Sequence, residues 1–286
     1  MKFRTKIPIE PQQHHQINYD SKMVLLGSCF SQNIGAKFEY YKFRNIINPL
    51  GIIFNPVAIE RNITRAVNSE LYAPEDLIEY NDLWLSLDAH SETSSDHKDD
   101  VLNTLNQAVE VTHSALFNAS HIIITLGTAW VYRHIATDTI VANCHKIPQR
   151  QFLKELLSVD NIINALQGIV ALVKDVNPKV SILFTVSPVR HLKDGFVENT
   201  RSKSHLLAAV QEVVDPRKQL FYFPSYEIMM DDLRGYRFYD SDMIHPNTLA
   251  IDYIWEHFKL AWISSSFSDV MSQIDSIQRR LEHQPF

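Results

Sequence analysis

The sequence contains few of the residues that mark several common protein classes. It has two cysteines, Cys29 and Cys144, which excludes a disulfide framework. No apolar run approaches the about 20 residues that a membrane-spanning helix requires. The polar residues 1–16 lack the apolar stretch and the cleavage site of a signal peptide. We therefore expect a cytoplasmic protein with no membrane partner.

Positive charge is also sparse. The formal net charge is −6, whereas nucleic-acid binding requires a clustered positive face, so we predict no nucleic-acid partner. Residues 201–205 hold two cations and a histidine, which a solvent-exposed helix face explains. The 13 histidines show no metal-ligand spacing, and no phosphate-binding or dinucleotide-binding glycine motif occurs. We predict no metal and no cofactor.

Glycine is scarce as well, with 7 in 286 residues, so a glycine at the end of an apolar run is informative. Short apolar runs predict buried strands at residues 23–26, 43–47, 121–126, 180–186 and 220–223. Helical patterns fill the intervals, at residues 32–40, 56–68, 99–118, 151–177, 201–214 and 247 to about 281.

This alternation predicts an α/β fold: a doubly wound, three-layer α/β/α arrangement with a five-strand, mainly parallel sheet of the flavodoxin-like kind. We expect a single domain over residues 1–286, with insertions near residues 83–100 and 129–150 and a small hairpin in the second. Sites in such sheets lie where the parallel strands end. We expect Gly27, Gly51 and Gly127 to lie together at that edge.

The first predicted strand leads into Gly27-Ser28-Cys29-Phe30, a group of small and nucleophilic residues on a strand-to-helix turn. A helix N-terminus there offers backbone N–H groups to a developing anion and lowers the pKa of a thiol. The alternative is a tight turn with an N-cap serine and a buried cysteine.

Near the other end of the chain, Asp242 precedes His245 by three residues, on a predicted loop before a helix. A carboxylate at this spacing can orient an imidazole through Nδ1–H and leave the other nitrogen free to act as a base. The alternative is a local turn in which Asp242 caps the backbone. Either motif alone is common, but their combination is much more specific.

The two motifs resemble those of the GSCFA family, which is named for Gly-Ser-Cys-Phe and is similar to the SGNH (GDSL-like) hydrolases. The resemblance extends over residues 3–262. Weaker matches are Asn48-Pro49-Leu50-Gly51 and Leu126-Gly127-Thr128. It implies an ester hydrolase or acyltransferase whose partner is a small acyl ester, such as an acylated carbohydrate.

The resemblance also implies roles for single residues. In its register Cys29 is the nucleophile, or Ser28 if the turn is shifted by one residue, while His245 is the base and Asp242 orients it. The N–H groups of Cys29 and Gly51 would bind the oxyanion.

The third block departs from the family pattern. Gly127-Thr128-Ala129-Trp130 lacks the asparagine that supplies an oxyanion donor in SGNH enzymes. Asn143 is the candidate replacement, although it could equally be an ordinary hairpin residue. Losing one such donor typically lowers the rate roughly 100- to 1000-fold.

Arg190 and His191 follow the fourth predicted strand and could reach the substrate. Arg190 would suit a carboxylate- or phosphate-bearing substrate, or could lie on an exposed turn. Two other functions stay open: a binding or scaffold protein that has lost the oxyanion asparagine, and a thiol-based redox enzyme that uses Cys29 with Cys144.

Overall fold

The structure, a computed structural model, describes residues 6–282. Its strands are β1 (Lys22–Gly27), β2 (Arg44–Ile47), β3 (Ile78–Tyr80), β4 (Leu83–Leu85), β5 (His121–Leu126), β6 (Trp130–His134), β7 (Thr139–Ile140), β8 (Phe152–Leu156), β9 (Ser181–Val186) and β10 (Leu220–Tyr222). Its α-helices are α1 (Cys29–Tyr40), α2 (Pro56–Val67), α3 (Lys98–Asn118), α4 (Val159–Val176), α5 (Phe196–Val213), α6 (Ser225–Glu227), α7 (Thr248–Trp262) and α8 (Ser268–Glu282). The limits predicted for the domain, residues 1 and 286, and the start of the resemblance at residue 3 lie outside the described residues.

The main sheet has five strands in the order β10-β9-β5-β1-β2, and every neighbouring pair is parallel. All six residues of β5 and all six of β9 are buried, because helices cover both faces of these central strands. This burial explains why both strands are near-continuous apolar runs in the sequence. The predicted fold class is confirmed, and each predicted strand is present.

Helices form the two outer layers. One face of the sheet packs against α2, α3, α4 and α5, through a core that includes Leu105 and Ile169. The other face packs against α1 and α7, where the rings of Phe38 and Trp255 meet edge to face with centroids 5.1 Å apart. Alternate residues of β1 serve the two cores, with Val24 in the first and Leu25 in the second.

The strand order reverses between β1 and β5, and doubly wound sheets bind ligands at such a point, outside the carboxyl ends of the strands. This end of the sheet, the carboxyl edge, holds the three glycine-containing turns. Gly27 ends β1, Gly127 directly follows β5, and Gly51 lies in the loop after β2. The Gly27 carbonyl accepts from Ile53 N–H at 3.2 Å, and Gly127 N–H donates to the Phe54 carbonyl at 2.8 Å.

Helix boundaries were the least accurate part of the sequence prediction. Residues 152–156 form strand β8, not the start of a helix, because all five residues pair with β6. Helix α4 begins only after Ser158, whose side chain accepts from Asn161 N–H in a capping box. The predicted helix from residue 247 to about 281 is two helices, α7 and α8, separated by residues 263–267. Of the helices described, none is both long and apolar enough to cross a lipid bilayer.

Each predicted insertion contributes to a short antiparallel sheet, although β3 precedes the first insertion and β8 follows the second. Strand β4 pairs with β3, and the predicted hairpin is present as β6 and β7, with β8 on the other side of β6. Leu85 from the first insertion packs with Val141 and Phe152 in a small separate core. The insertions therefore support each other beside the carboxyl edge.

Candidate active site

The turn after β1 depends on Gly27. Its φ is +132°, a backbone conformation that residues with a Cβ rarely adopt, and an added Cβ would lie 2.1 Å from the Thr125 carbonyl oxygen. The Gly27 N–H donates to Asn48 Oδ1 at 2.8 Å, which ties the turn to the loop after β2. Because β1 ends in this tight approach to β5, the next residues project beyond the edge of the sheet.

Ser28 and Cys29 have different surroundings within this turn. Ser28 is 2% exposed and is the N-cap of α1, with its Oγ accepting from Phe30 N–H at 3.3 Å. Cys29 is half-buried and is the first residue of α1. Burial raises the pKa of the Cys29 thiol, while the N–H groups of Cys29 and Phe30 and the charge of Lys203 act to lower it. The thiol lies at a helix N-terminus, which favours its anionic form, but burial is the larger effect and keeps the pKa above its ordinary value.

His245 and Asp242 form a close pair in the loop before α7. Nδ1 of His245 lies 2.6 Å from Asp242 Oδ2, and Asp242 Oδ1 accepts from the N–H groups of Ile244 and His245 at 2.8 and 3.0 Å. These hydrogen bonds, led by the one from the His245 ring, lower the pKa of Asp242 to about 2. The carboxylate therefore stays ionised at neutral pH and holds the ring with its other nitrogen, Nε2, free of Asp242.

Cys29 and His245 line the same cavity, although 216 positions separate them in the sequence (245 − 29). This site cavity has a volume of about 630 Å³. Its lining also includes Ser28, Thr128, Trp130, Asn143, Cys144, Arg190 and His191. In the described part of the chain, no hydrogen bond joins the Cys29 sulfur to the His245 ring. Catalytic hydrogen bonds are often long or unformed before substrate binds.

The two glycines expected to contribute to the site do not offer free N–H groups. Gly51 N–H donates to the Asn48 carbonyl at 2.8 Å within a turn, and Gly127 N–H donates to the Phe54 carbonyl. The role expected for Gly51 N–H at an oxyanion stays a prediction, and it would require this turn bond to open. The residues Ile52 and Phe54 line the site cavity where Gly51 does not.

Asn143 lies in the lining of the site cavity, on the loop after β7. Its Oδ1 accepts from His145 N–H at 2.9 Å, a local turn bond that orients the side-chain amide. Since Oδ1 is the atom used in this bond, the Nδ2 donor is the part of the amide that remains for another partner.

Arg190 lies across the cavity lining among three aromatic rings. Its guanidinium carbon is 4.0 Å from the ring centroid of Tyr239, 5.5 Å from that of Tyr236 and 5.9 Å from that of Phe196. Stacking on aromatic faces holds a guanidinium group in place without neutralising it. Nη1 is buried and has no hydrogen-bond partner among the described residues.

Lys203 is the residue near the site that the sequence interpretation missed. The prediction of a solvent-exposed face for residues 201–205 is wrong at Lys203, which is 1% exposed. Its Nζ donates to the carbonyl groups of Gly127 and Ser187 at 2.6 and 2.7 Å. A signal was present in the sequence: Lys203 lies at helical spacing from the buried residues Leu206 and Val210, on the apolar stripe of α5.

His191, which lines the site cavity, is a second titratable group near Lys203. Burial lowers the pKa of His191 to about 3, and the charges of Lys203 and His245 act in the same direction. The ring is therefore neutral at physiological pH. Among the described residues, no three His, Cys, Asp or Glu side chains come together as metal ligands.

Comparison with known proteins connects this geometry to a family. The model of the GSCFA family matches residues 22–258, a range that contains both Gly27-Ser28-Cys29-Phe30 and the Asp242–His245 pair. The chain belongs to the GSCFA family. No curated protein sequence matches it.

Solved structures similar to this GSCFA chain include two esterases. One is a crystal structure of an acetyl esterase mutant with an acetate ion, at 10% sequence identity and a TM-score of 0.40, covering 90% of this chain and 99% of that one. The other is a carbohydrate esterase family 3 protein from Talaromyces cellulolyticus, at 8% identity, a TM-score of 0.40 and coverage of 90% and 99%.

Proposed function

We propose that this protein is an ester hydrolase or acyltransferase that acts on a small acylated substrate, with Cys29 as the nucleophile. The observation that carries the proposal is the shared cavity. Cys29, at the N-terminus of α1, and the His245 ring bonded to Asp242 come from opposite ends of the chain and line one cavity at the carboxyl edge. A nucleophile, a base and a carboxylate that orients the base are the groups that acyl transfer requires.

In the proposed reaction, His245 Nε2 accepts the thiol proton of Cys29, and the sulfur attacks the ester carbonyl carbon. A carbon–sulfur bond forms, and the carbonyl oxygen becomes an oxyanion. The oxyanion then collapses, the carbon–oxygen bond to the alcohol breaks, and the leaving alcohol takes the proton from His245. Water, or a second alcohol in a transferase, attacks the thioester and gives its proton to His245. Release of the acid or the new ester returns the proton to the Cys29 sulfur.

We propose that the oxyanion forms beside the first turn of α1, where Cys29 N–H, at the helix N-terminus, is one donor. We propose Nδ2 of Asn143 as a second donor, because its amide lines the same cavity and uses only Oδ1 in the local turn. Gly51 has no part in this arrangement, since its N–H is bonded to the Asn48 carbonyl.

Two observations favour Cys29 over Ser28. The Ser28 hydroxyl is 2% exposed and caps α1 through Phe30 N–H, so attack by this oxygen would require the cap to open. The Cys29 sulfur is more exposed and lies next to two N–H groups that stabilise its anion. A serine enzyme remains the alternative that the variants below distinguish.

Arg190 provides the basis for a proposal about the substrate. Its guanidinium group lines the site cavity among aromatic rings, and no described carboxylate forms an ion pair with it. An arginine held in this way binds carboxylate or phosphate groups through directed hydrogen bonds. We therefore propose that the ester substrate carries an anionic group.

Hydrolysis of p-nitrophenyl acetate by purified variants tests the assignment. Cys29→Ala should lower kcat/KM by at least about 1000-fold, because no other group attacks the carbonyl. Ser28→Ala should lower the rate only partly and the free energy of unfolding by about 1 kcal/mol, the usual cost of a lost N-cap. Cys144→Ala is the matched control, since Cys144 is the other free cysteine in the cavity and has no role in the mechanism.

The alternatives have distinct outcomes. Full activity in Cys29→Ala together with no activity in Ser28→Ala would make the protein a serine enzyme. Unchanged activity in both variants would remove the turn from the mechanism. If the folded wild-type protein neither hydrolyses the ester nor becomes acylated at Cys29, the binding-protein function replaces the catalytic one.

A further inference from the structure

Lys203, on α5, lies beneath the site cavity and connects two of its loops. Its ammonium group donates to the Gly127 carbonyl, directly after β5, and to the Ser187 carbonyl, directly after β9. The residues that follow these carbonyls, among them Thr128 and Arg190, line the cavity. No carboxylate of the described chain forms an ion pair with Lys203, which is 1% exposed. Its charge is therefore buried without a counter-ion.

A purely structural role accounts poorly for a lysine at this position. Burying an ammonium group without a carboxylate is costly, whereas a neutral donor could bond the same two carbonyls without that cost. Burial lowers the pKa of Lys203 to about 7, and Cys29 is the group that acts to raise it. Lys203 is therefore partly charged at neutral pH.

The charged and titratable groups around Lys203 and Cys29 come from several elements. Lys203 Nζ lies 5.9 Å from the ring centroid of Tyr226 in α6. His191, after β9, is neutral because its pKa is about 3. Asp242, before α7, acts to raise the pKa of the Cys29 thiol, and Lys203 acts to lower it. His245, also before α7, lines the same cavity as Cys29. Lys203 lies close to the turn that carries Cys29, because its ammonium group bonds the carbonyl of Gly127, two residues after Thr125, and the Thr125 carbonyl accepts from Ser28 N–H at 3.0 Å.

We propose that Lys203 is a positioning residue whose buried charge stabilises the thiolate of Cys29 while its hydrogen bonds fix the loops after β5 and β9. The inference rests on the proposed role of Cys29 as the nucleophile. A positive charge near a sulfur at a helix N-terminus lowers the pKa of the thiol, and here it opposes the burial that raises it. In this arrangement the deprotonated sulfur of Cys29 and the protonated amine of Lys203 stabilise each other.

The rate of Cys29 alkylation by iodoacetamide, measured from pH 5.5 to 10.5 with the modified residue identified by mass spectrometry, tests the inference without any ester. In the wild-type protein the rate should rise, level off near pH 7 as Lys203 loses its proton, and rise again as the thiol itself ionises. In Lys203→Met the part of this step that is due to Lys203 should be absent, so the rate near pH 6.5 should fall roughly tenfold, while the two proteins should converge near pH 10.

A matched control separates the effect of the Lys203 charge from the loss of any lysine that bonds backbone carbonyl groups. Lys174 also donates to backbone carbonyl groups, with Nζ 2.6 Å from the Val180 oxygen, but at the opposite end of β9. Lys174→Met should leave the alkylation profile of Cys29 unchanged. Lys203→Gln, which keeps N–H donors without the charge, should behave like Lys203→Met in alkylation while retaining more stability.

The alkylation rates decide whether Lys203 acts on the sulfur. A folded Lys203→Met or Lys203→Gln that is alkylated at the wild-type rate near pH 6.5 would overturn the inference. If neither variant folds, the profile of His245→Gln decides, because the ring that the mechanism pairs with Cys29 is then absent: a single rise with no step near pH 7 would overturn the inference. If Cys29→Ala retains esterase activity but the Lys203-dependent step is present, the proposed function fails and the role of Lys203 at the sulfur stands.

Discussion

Replacing Gly27 with alanine should destabilise the protein strongly and displace the turn that carries Ser28 and Cys29. The added Cβ would lie 2.1 Å from the Thr125 carbonyl oxygen and 2.8 Å from its carbon, far inside contact distance, at a φ of +132°. The same oxygen accepts from Ser28 N–H at 3.0 Å. Relief of the clash by separating β1 from β5 would therefore also weaken the bond that holds the residue next to Cys29.

The magnitude follows from two separable costs. Forcing a residue with a Cβ into this backbone region costs roughly 1–3 kcal/mol, and a backbone clash adds a similar amount. We expect Gly27→Ala to lower the free energy of unfolding by roughly 3–5 kcal/mol, a large fraction of the about 5–15 kcal/mol that domains have in total. Gly195, with φ +91° and nothing within 4 Å of the added Cβ, should show the backbone cost alone. Gly235→Ala should show neither the backbone cost nor the clash, because Gly235 has a φ of −179° and nothing lies within 4 Å of the added Cβ.

Urea denaturation followed by tryptophan fluorescence measures all three variants on one scale. The expected order of destabilisation is Gly27→Ala, then Gly195→Ala at about 1–2 kcal/mol, then Gly235→Ala within about 0.5 kcal/mol of wild type. If Gly27→Ala and Gly235→Ala unfold at the same midpoint, the close approach of β1 to β5 does not exist. If Gly195→Ala is the more damaging of the two strained positions, the clash with Thr125 is absent.

Two further predictions concern the His245 ring and the Arg190 guanidinium group in the site cavity. Asp242→Asn should lower kcat by up to roughly 10,000-fold with little change in stability, because the exposed loop persists but His245 loses the acceptor that fixes Nδ1–H. Since the pKa of Asp242 is about 2, the wild-type rate should show no loss from protonation of this carboxyl between pH 4 and 8. An equal kcat for the wild type and Asp242→Asn would contradict the role of Asp242 in orienting His245. Arg190→Met should raise KM roughly tenfold for an ester that carries a carboxylate and leave KM for its neutral analogue unchanged, and equal effects on both esters would refute an anion-binding role.

The architecture was predictable because both central strands are buried on both faces. Continuous apolar runs such as residues 121–126 have few alternative explanations in a chain that alternates them with helical patterns. The error at residues 152–156 has the opposite cause. Phe152–Leu156 is a short, half-buried strand whose apolar residues, at positions 152, 153 and 156, have helical spacing, and only its pairing with β6 distinguishes it from a helix.

At the candidate site, the local motifs were readable and the non-local hydrogen bonds were not. The N-cap position of Ser28 and the three-residue spacing of Asp242 and His245 are properties of one turn each. The use of Gly51 N–H by the Asn48 carbonyl depends on how the loop after β2 folds back, which composition does not encode. Lys203 was misjudged because a lysine is usually exposed, and its burial depends on two carbonyls from other elements.

The sequence alone determined the α/β alternation, the turn after β1 and the pairing of Asp242 with His245, because each depends on hydrophobic periodicity or on contacts within a few residues. Tertiary structure alone decided which side chains share a cavity. The reversal of strand order between β1 and β5 places the turns after both strands at one crevice, and the insertion after β5 contributes Asn143 to its lining. It also decided the burial of Lys203 near Cys29, since the charge of one residue acts on another 174 positions away (203 − 29) only after the chain has folded.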